Sequence, residues 1–378
     1  MPNTLELIDA LRRRPVASRA ELQADTGLSA ASISRGLSDL RRAGLVQEQA
    51  AAVSGVGRPP SVVQFRPEAA HVVGIDAGGA SIRVEIVDLA GRFIARSSVT
   101  LRGTREATAI VRRIADTVRA LAQRVDARPV AAAAGVSGIV DAAGGTVLLS
   151  PDLPGLNGRD VATMLADRLG MPVAIDNDDL LAAAGEAAFG AAEGCTEVVF
   201  LSLGLGLGAG LLVGGRPVRG VRSAAGAIAY FAPGSLQDRA SGRAIPRRYN
   251  ERRGERTGTP RRTAKRVIEL AATGDADAIA VIEDAIEALG ALAVNVGALL
   301  DPEVIVLGGG LARGIPSLAE SLAARLRDAL PFPPRVVLSA LGEDAVTRGA
   351  GSLALSLGQR QLVGVTAEPG RLGALEFV

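Results

Sequence analysis

Between Val73 and Asp88 the chain reads VGIDAGGASIRVEIVD. An apolar run leads to a turn on Gly78 and Gly79, and a second run follows in which apolar and polar residues alternate. Alternation with period two marks a strand, and a glycine pair between two such runs closes a hairpin. The logic returns at EVVFLSLGLGLGAGLLV, where Gly204, Gly206 and Gly208 stand between two strand-like runs. A third glycine turn, Gly308 and Gly309 in IVLGGGLAR, separates a strand from a helical pattern. This ordered set predicts two similar α/β halves whose glycine turns face one cleft, a place for a nucleotide or a sugar.

The stretches between the turns fit. RFIARSSV and VAAAAGVSG read as strands, Glu106 to Val125 and Val161 to Leu169 as helices, and PVAIDND as a strand leading into a helix that ends near Phe189. Asp76, beside the first glycine turn, suits a phosphate grip. In VAIDNDDLLAAAGE, Asp178 stands at the end of an apolar strand. There it could take a proton from a sugar hydroxyl attacking a phosphate, with Asn177 holding hydroxyls. The plainer alternative is that Asp178 or Asp179 caps the following helix.

The first 66 residues follow a different pattern. Three helices are predicted: Thr4 to Arg13; one opened by SRAE, which has capping-box spacing; and SAASISRGLSDLRRAG, capped by Ser29. Ile33, Leu37 and Leu40 form its apolar stripe, leaving Ala31, Ser32, Ser34 and Arg35 towards solvent. A second helix with small residues near its start suits a major groove, where Arg35 could reach a guanine edge or a phosphate. Two strand-like runs then flank a loop with Arg58 at its tip, which reads as a wing. A docking or dimerisation module is the alternative, because Glu6, Asp9, Glu21 and Asp25 offset several arginines.

Composition excludes several classes. With one cysteine, Cys195, and one histidine, His71, neither an internal disulfide framework nor a cysteine-rich metal site is expected. A formal charge of +2 over 378 residues gives no general nucleic-acid field. The uncharged run from Val198 to Gly215 alternates leucine with glycine, which argues for strands over a membrane span. The N-terminus lacks an apolar signal core, so a cytoplasmic protein is expected. The basic stretch from Arg239 to Arg266 reads as a solvated face, or more sharply as a further contact to DNA or an acidic partner.

Taken together, SRAELQADTGLSAASISRGLSDLRRAGLV, GRPPSVVQF, GVSGIVD, SPDLPGLNG, DNDDLLAAAGE, the glycine run at Gly204 to Gly210, LGGGL and LGEDAVTRGAGSLAL resemble the ROK family of repressors and sugar kinases, and most closely its repressor branch. The resemblance implies an N-terminal winged helix-turn-helix (1–66) followed by a two-lobed, actin-like sugar-kinase fold of the ribonuclease H-like class. Its first lobe would be 70–192 with 346–378, and its second, dimerising lobe 193–345.

The departures from the family pattern matter. Ala80 and Leu205 replace the two threonines of the family's phosphate motifs. Ala227 replaces a sugar-binding glutamate, and Tyr230 a histidine that is also a zinc ligand. The cysteine-rich zinc loop is shortened to FAPGSLQDRASG, with Ser235 and Gln237 where a cysteine and a glutamate are usual, and Asp152 where an asparagine is usual. Gly138, Asp152, Asn177, Asp178, Tyr230 and Gln237 are the residues left for a ligand, with Glu186 behind them. The resemblance thus implies a homodimeric regulator that binds double-stranded operator DNA and answers to a sugar-derived effector. It would bind no metal or cofactor, and Asp178 would be only a vestigial base. An active sugar kinase and a regulator controlled by a protein partner are the alternatives.

Overall fold

The computed structural model describes residues 2–50, 61–101, 103, 105–231, 236–254 and 262–364. The head contains helices α1 (Pro2–Arg13), α2 (Arg19–Thr26) and α3 (Ala30–Arg42). Strands β1 (Val16–Ser18), β2 (Val46–Ala50) and β3 (Ser61–Phe65) form its antiparallel sheet, in the order β1-β3-β2. The capping box forms: the Ser18 hydroxyl accepts from Glu21 N, and the Glu21 carboxylate accepts from Ser18 N. Gly27, at φ +69°, ends α2, and Ser29 caps α3. Ile33, Leu37 and Leu40 are buried against Leu7, Ile8 and Leu11. β1 is a strand that the sequence did not announce. Its three residues are too few to show alternation, and only pairing with β3 defines them. β2 and β3 are the predicted wing strands; the loop between them, with Arg58, lies outside the described residues.

The first lobe runs through β4 (His71–Ala77), β5 (Ser81–Asp88), β6 (Phe93–Thr100), α4 (Ala107–Arg124), β7 (Pro129–Val136), β8 (Ile139–Asp141), β9 (Thr146–Leu149), β10 (Arg159–Asp160), α5 (Val161–Leu169), β11 (Val173–Asn177) and α6 (Asp178–Phe189). Its main sheet has the order β11-β7-β4-β5-β6. β4, β5 and β6 are antiparallel neighbours, and β7 and β11 run parallel to β4.

The second lobe runs through β12 (Val198–Leu203), β13 (Leu207–Val213), β14 (Arg216–Pro217), α7 (Gln237–Ala240), α8 (Ala244–Arg252), α9 (Ala264–Ala272), α10 (Ala276–Leu300), β15 (Val304–Gly308), α11 (Gly309–Gly314), α12 (Leu318–Ala329) and β16 (Arg335–Leu338). Its sheet, β14-β13-β12-β15-β16, repeats the pairing of the first. The duplicated glycine hairpins of the sequence are therefore duplicated lobes.

Helix α13 (Ala345–Leu362) returns to the first lobe and packs on β4, β7 and α6. Glycine permits this approach: a Cβ on Gly74 would lie 2.1 Å from the Thr347 carbonyl oxygen. Near its other end, Leu353 and Leu357 share one core with Leu7 and Leu11 of α1, so head and first lobe are packed together. Among the described residues no helix is long and apolar enough to cross a membrane.

Candidate ligand cleft and DNA-reading face

β11 ends where α6 begins, and Asn177 makes the junction. Its Oδ1 accepts from Leu180 N at 2.9 Å, and its Nδ2 donates to the Gly138 carbonyl at 2.8 Å. Asn177 is therefore the cap, which corrects the expectation that Asp178 or Asp179 would be. Those two aspartates are the first residues of the helix, where the helix dipole favours negative charge. Gly138, at φ +125°, could not be replaced: a Cβ there would meet the Leu149 carbonyl oxygen at 2.1 Å.

Asp178 keeps a small opening to solvent but lies deep between the lobes. Desolvation, then the neighbouring carboxylates of Asp179 and Asp76, push its carboxyl well above the ordinary range. Asp179 turns toward the second lobe and hydrogen-bonds Ser202; burial pushes it up to about 6. The alternating glycines explain how it fits. A Cβ on Gly208 would lie 1.8 Å from Asp179 Oδ2, and one on Gly210 would lie 2.0 Å from the Asp179 carbonyl oxygen. The side-chain-free face of β13 thus admits the start of α6, a packing role that a phosphate-loop reading of these glycines overlooks.

The three glycine turns are likewise occupied by the chain itself. Asp76, nearly inaccessible, accepts from Arg83 at 2.9 Å. Burial raises its carboxyl and the guanidinium opposes that rise. Arg83 also reaches Glu343 at 3.1 Å, and Glu343 takes Arg313 at 3.4 Å. Asp152 lies over Gly79, whose missing Cβ would fall 2.5 Å from the Asp152 Cβ, and it pairs with Arg243. At the second turn, Gly242 N donates to Gly204 O and Arg243 N to Leu205 O, while Gln237 Oε1 accepts from Leu207 N at 3.2 Å. The Leu205 side chain is left exposed. Arg243 therefore spans from the second glycine turn to Asp152 beside the first. At the third turn, Gly308 faces the Phe200 ring, 2.2 Å from where its Cβ would be, and Gly309 has φ +88°.

Tyr230 sits exposed on a single 3-10 turn, Ile228–Tyr230. Asp176, not singled out in the sequence, is fully buried and accepts Arg219 Nε at 3.1 Å and Nη2 at 2.6 Å. An acid inside the apolar run VAID was its only signal. Glu186 does not face a ligand: it accepts from Ala191 N at 2.7 Å, from Leu341 N at 3.1 Å and from the Ser339 hydroxyl, tying α6 to the segment before α13. On the second-lobe side a cavity of about 1850 Å³ opens among Leu205, Arg243, Arg262, Lys265, Leu311 and Arg313.

The basic stretch is largely zipped onto acids. Arg239 and Arg248 meet Asp284, Arg252 meets Asp277, and Arg266 meets Glu269. Among the described residues no group of His, Cys, Asp and Glu is arranged to hold a metal. His71 accepts from Arg128 N, and Cys195 from Arg335.

On the head, Ser29, Ala31, Ser34 and Arg35 are exposed and Ser32 is partly so. The Ser29 hydroxyl accepts from Ser32 N at 3.2 Å, so these two serines also build the cap. Arg14, Arg19, Arg41 and Arg42 are all ion-paired. Arg35 has no such partner among the described residues.

Residues 72–356 match the ROK family. The chain belongs to the ROK family. Its ROK relatives include both regulators and kinases. A xylose repressor of Caldicellulosiruptor bescii is 24% identical over 329 residues, covering 81% of this chain and 82% of the repressor. A glucokinase of Thermotoga maritima is 26% identical over 310 residues, covering 75% of this chain and 96% of the glucokinase. Among solved structures, a ROK family transcriptional regulator described as a homolog of the E.coli MLC protein superposes with a TM-score of 0.77 at 23% identity, over 96% of this chain and 98% of that one. A ROK hexokinase from Thermus thermophilus gives 0.64 at 28% identity, over 75% of this chain and 97% of that one. The ROK fold thus accounts for the two-lobed body.

Proposed function

We propose that the chain is a DNA-binding transcriptional regulator, a repressor of carbohydrate-related genes, whose body senses a sugar-derived ligand without phosphorylating it. The observation that carries this reading is Arg35: a guanidinium on the solvent face of α3, among small residues, with no ion-pair partner among the described residues, where Arg14, Arg19, Arg41 and Arg42 each have one. Such a helix can enter a major groove, with Arg35 bonding a guanine edge. Two copies joined through their bodies would set two heads on a two-fold operator, and a ligand favouring one lobe arrangement would favour one spacing of the heads. The repressor among its relatives is consistent with this reading.

The state of the cleft supports the loss of catalysis. Phosphoryl transfer depends on positioning and on groups that stabilise the moving charge. Ala80 and Leu205 offer phosphate oxygens no hydroxyl, Asp76 is engaged by Arg83, and Arg243 lies between the two turns. We further propose that the body requires neither zinc nor nucleotide. An active sugar kinase is the second reading, favoured by Asp178, a carboxyl between the lobes where a base for a sugar hydroxyl would stand.

Genome-wide capture of bound DNA, with a coupled phosphorylation assay across a sugar panel, tests both readings. Discrete operators near carbohydrate genes and no turnover are expected. Turnover at an ordinary kinase rate, abolished by Asp178→Asn, would make the chain an enzyme.

A further inference from the structure

We infer that the cleft carries its own latch: ion pairs across its rim, with arginines contributed by both lobes, hold the two lobes together. Among the bonds that cross between the lobes, three ion pairs stand at the cleft, each on a different element. Arg219, just past β14, grips Asp176 at the end of β11. Arg243, between α7 and α8, grips Asp152 over Gly79. Arg83 of the first lobe, already paired with Asp76, reaches across to Glu343, which Arg313 of the second lobe also holds. These pairs add to the packing of α6 on β12 and β13, and the cleft cannot open at its rim without breaking them.

The latch takes up the positions where an incoming molecule would do the closing. Arg83 is the counter-charge of Asp76, and Arg243 fills the gap between the two glycine turns. Closure is therefore a property of the chain, and a ligand entering the cleft must displace an arginine from its carboxylate. Glu343 also stands two residues before α13, whose far end shares a core with α1 of the head. Release of this pin frees the base of α13, which packs on the first lobe and on α1 of the head.

Amide hydrogen exchange on the full chain tests the latch at residues 176–180, which begin at the carboxylate Arg219 grips, and at 204–207, which Arg243 N bonds through Leu205 O. Raising salt from about 0.1 M to about 1 M shortens the screening length from about 10 Å to about 3 Å. It should speed exchange at both segments while leaving the head core unchanged. Arg243→Gln and Glu343→Gln, both on exposed side chains, should each give about fivefold faster exchange at low salt, the scale of one surface pair. The charge swap Asp152→Arg with Arg243→Asp should return it toward the wild-type rate, separating the ion pair from any effect of misfolding. Exchange in both single variants equal to wild type, with no response to salt, would overturn the latch. So would a swap that behaves like the single variants.

Discussion

Arg83 donates to Asp76 at 2.9 Å from the position directly opposite it on the neighbouring strand. The carboxylate is almost wholly enclosed, and this guanidinium is its counter-charge. Arg83→Ala should cost about 3 kcal/mol, the lower end for breaking a buried pair, because Arg83 itself is about a third exposed. The deficit has a definite pH dependence. Burial raises the Asp76 carboxyl, so stability from this group is fullest below the usual carboxylate range and falls as pH rises; Arg83 limits that fall. The variant should therefore trail wild type more at about pH 8 than at about pH 4 in urea unfolding, and adding Asp76→Asn should recover most of the difference. A pH-independent deficit would assign the loss to packing alone.

The Asp76–Arg83 pairing was within reach of the sequence. The turn takes the four residues Gly78 to Ser81, setting Ala77 opposite Ile82 and then Asp76 opposite Arg83, on one face; only the length of that turn had to be judged, since a two-residue turn on the glycines would set Asp76 opposite Ser81. Local rules also located α5 and the capping box, because both depend on neighbours within four residues. What the sequence hid is long-range. Arg219 stands 43 positions from Asp176, and nothing in either segment names the other. The Leu-Gly alternation was legible as a strand, but the reason for its glycines is α6, a helix from the other lobe. Asn177 looked like a sugar contact because capping and binding call for the same side chain; only the geometry shows its amide already bonded to Leu180 and Gly138.

Glu186 is a joint between α6 and the segment before α13. Its two oxygens serve backbone N–H groups on separate stretches, so glutamine can satisfy only one side and turns a donor against the other. Glu186→Gln should lower stability by about 2 kcal/mol and Glu186→Ala by more, since bonds to a charged group are worth about 1.5–3 kcal/mol each. Urea midpoints measure both. Equal, negligible losses would show that Ser339 and Leu341 hold this segment without it.

Asp178→Asn keeps the acceptor for Asn177 Nδ2 and Asp179 N but removes the ionisation. The wild-type carboxyl titrates well above its ordinary value, so the folded protein binds a proton that the unfolded chain has released. Its contribution to stability is full below the unfolded value and is lost as pH rises through the folded one. The variant should therefore gain on wild type in melting temperature between about pH 4 and about pH 8. Parallel pH profiles would mean that the carboxyl is ordinary.

The proposal that zinc is not required rests on ligand supply. A structural zinc needs four donors in tetrahedral array, commonly cysteine and histidine. The chain's one histidine lies on β4, bonded to Arg128 N, and its one cysteine precedes β12. Purified protein should contain well under one zinc per chain, and chelation should change neither melting temperature nor DNA affinity. One zinc per chain, lost together with DNA binding on chelation, would reverse this.

The head offers the most direct test of function. Arg35→Ala removes a cation of α3 that has no ion-pair partner among the described residues, and it touches neither the Ser29 cap nor the Ile33, Leu37 and Leu40 stripe. Folding should be unaffected, while specific operator binding should weaken by about 1–3 kcal/mol, with discrimination relaxed at one base position. Arg58, outside the described residues, is expected to act on the backbone or minor groove. Its alanine variant should weaken all sequences alike and reduce the salt slope by about one. Gel-shift titrations on the captured operator and on scrambled DNA, at several salt concentrations, separate the two effects. Unchanged operator affinity in Arg35→Ala would remove α3 from the groove and leave the head a docking module.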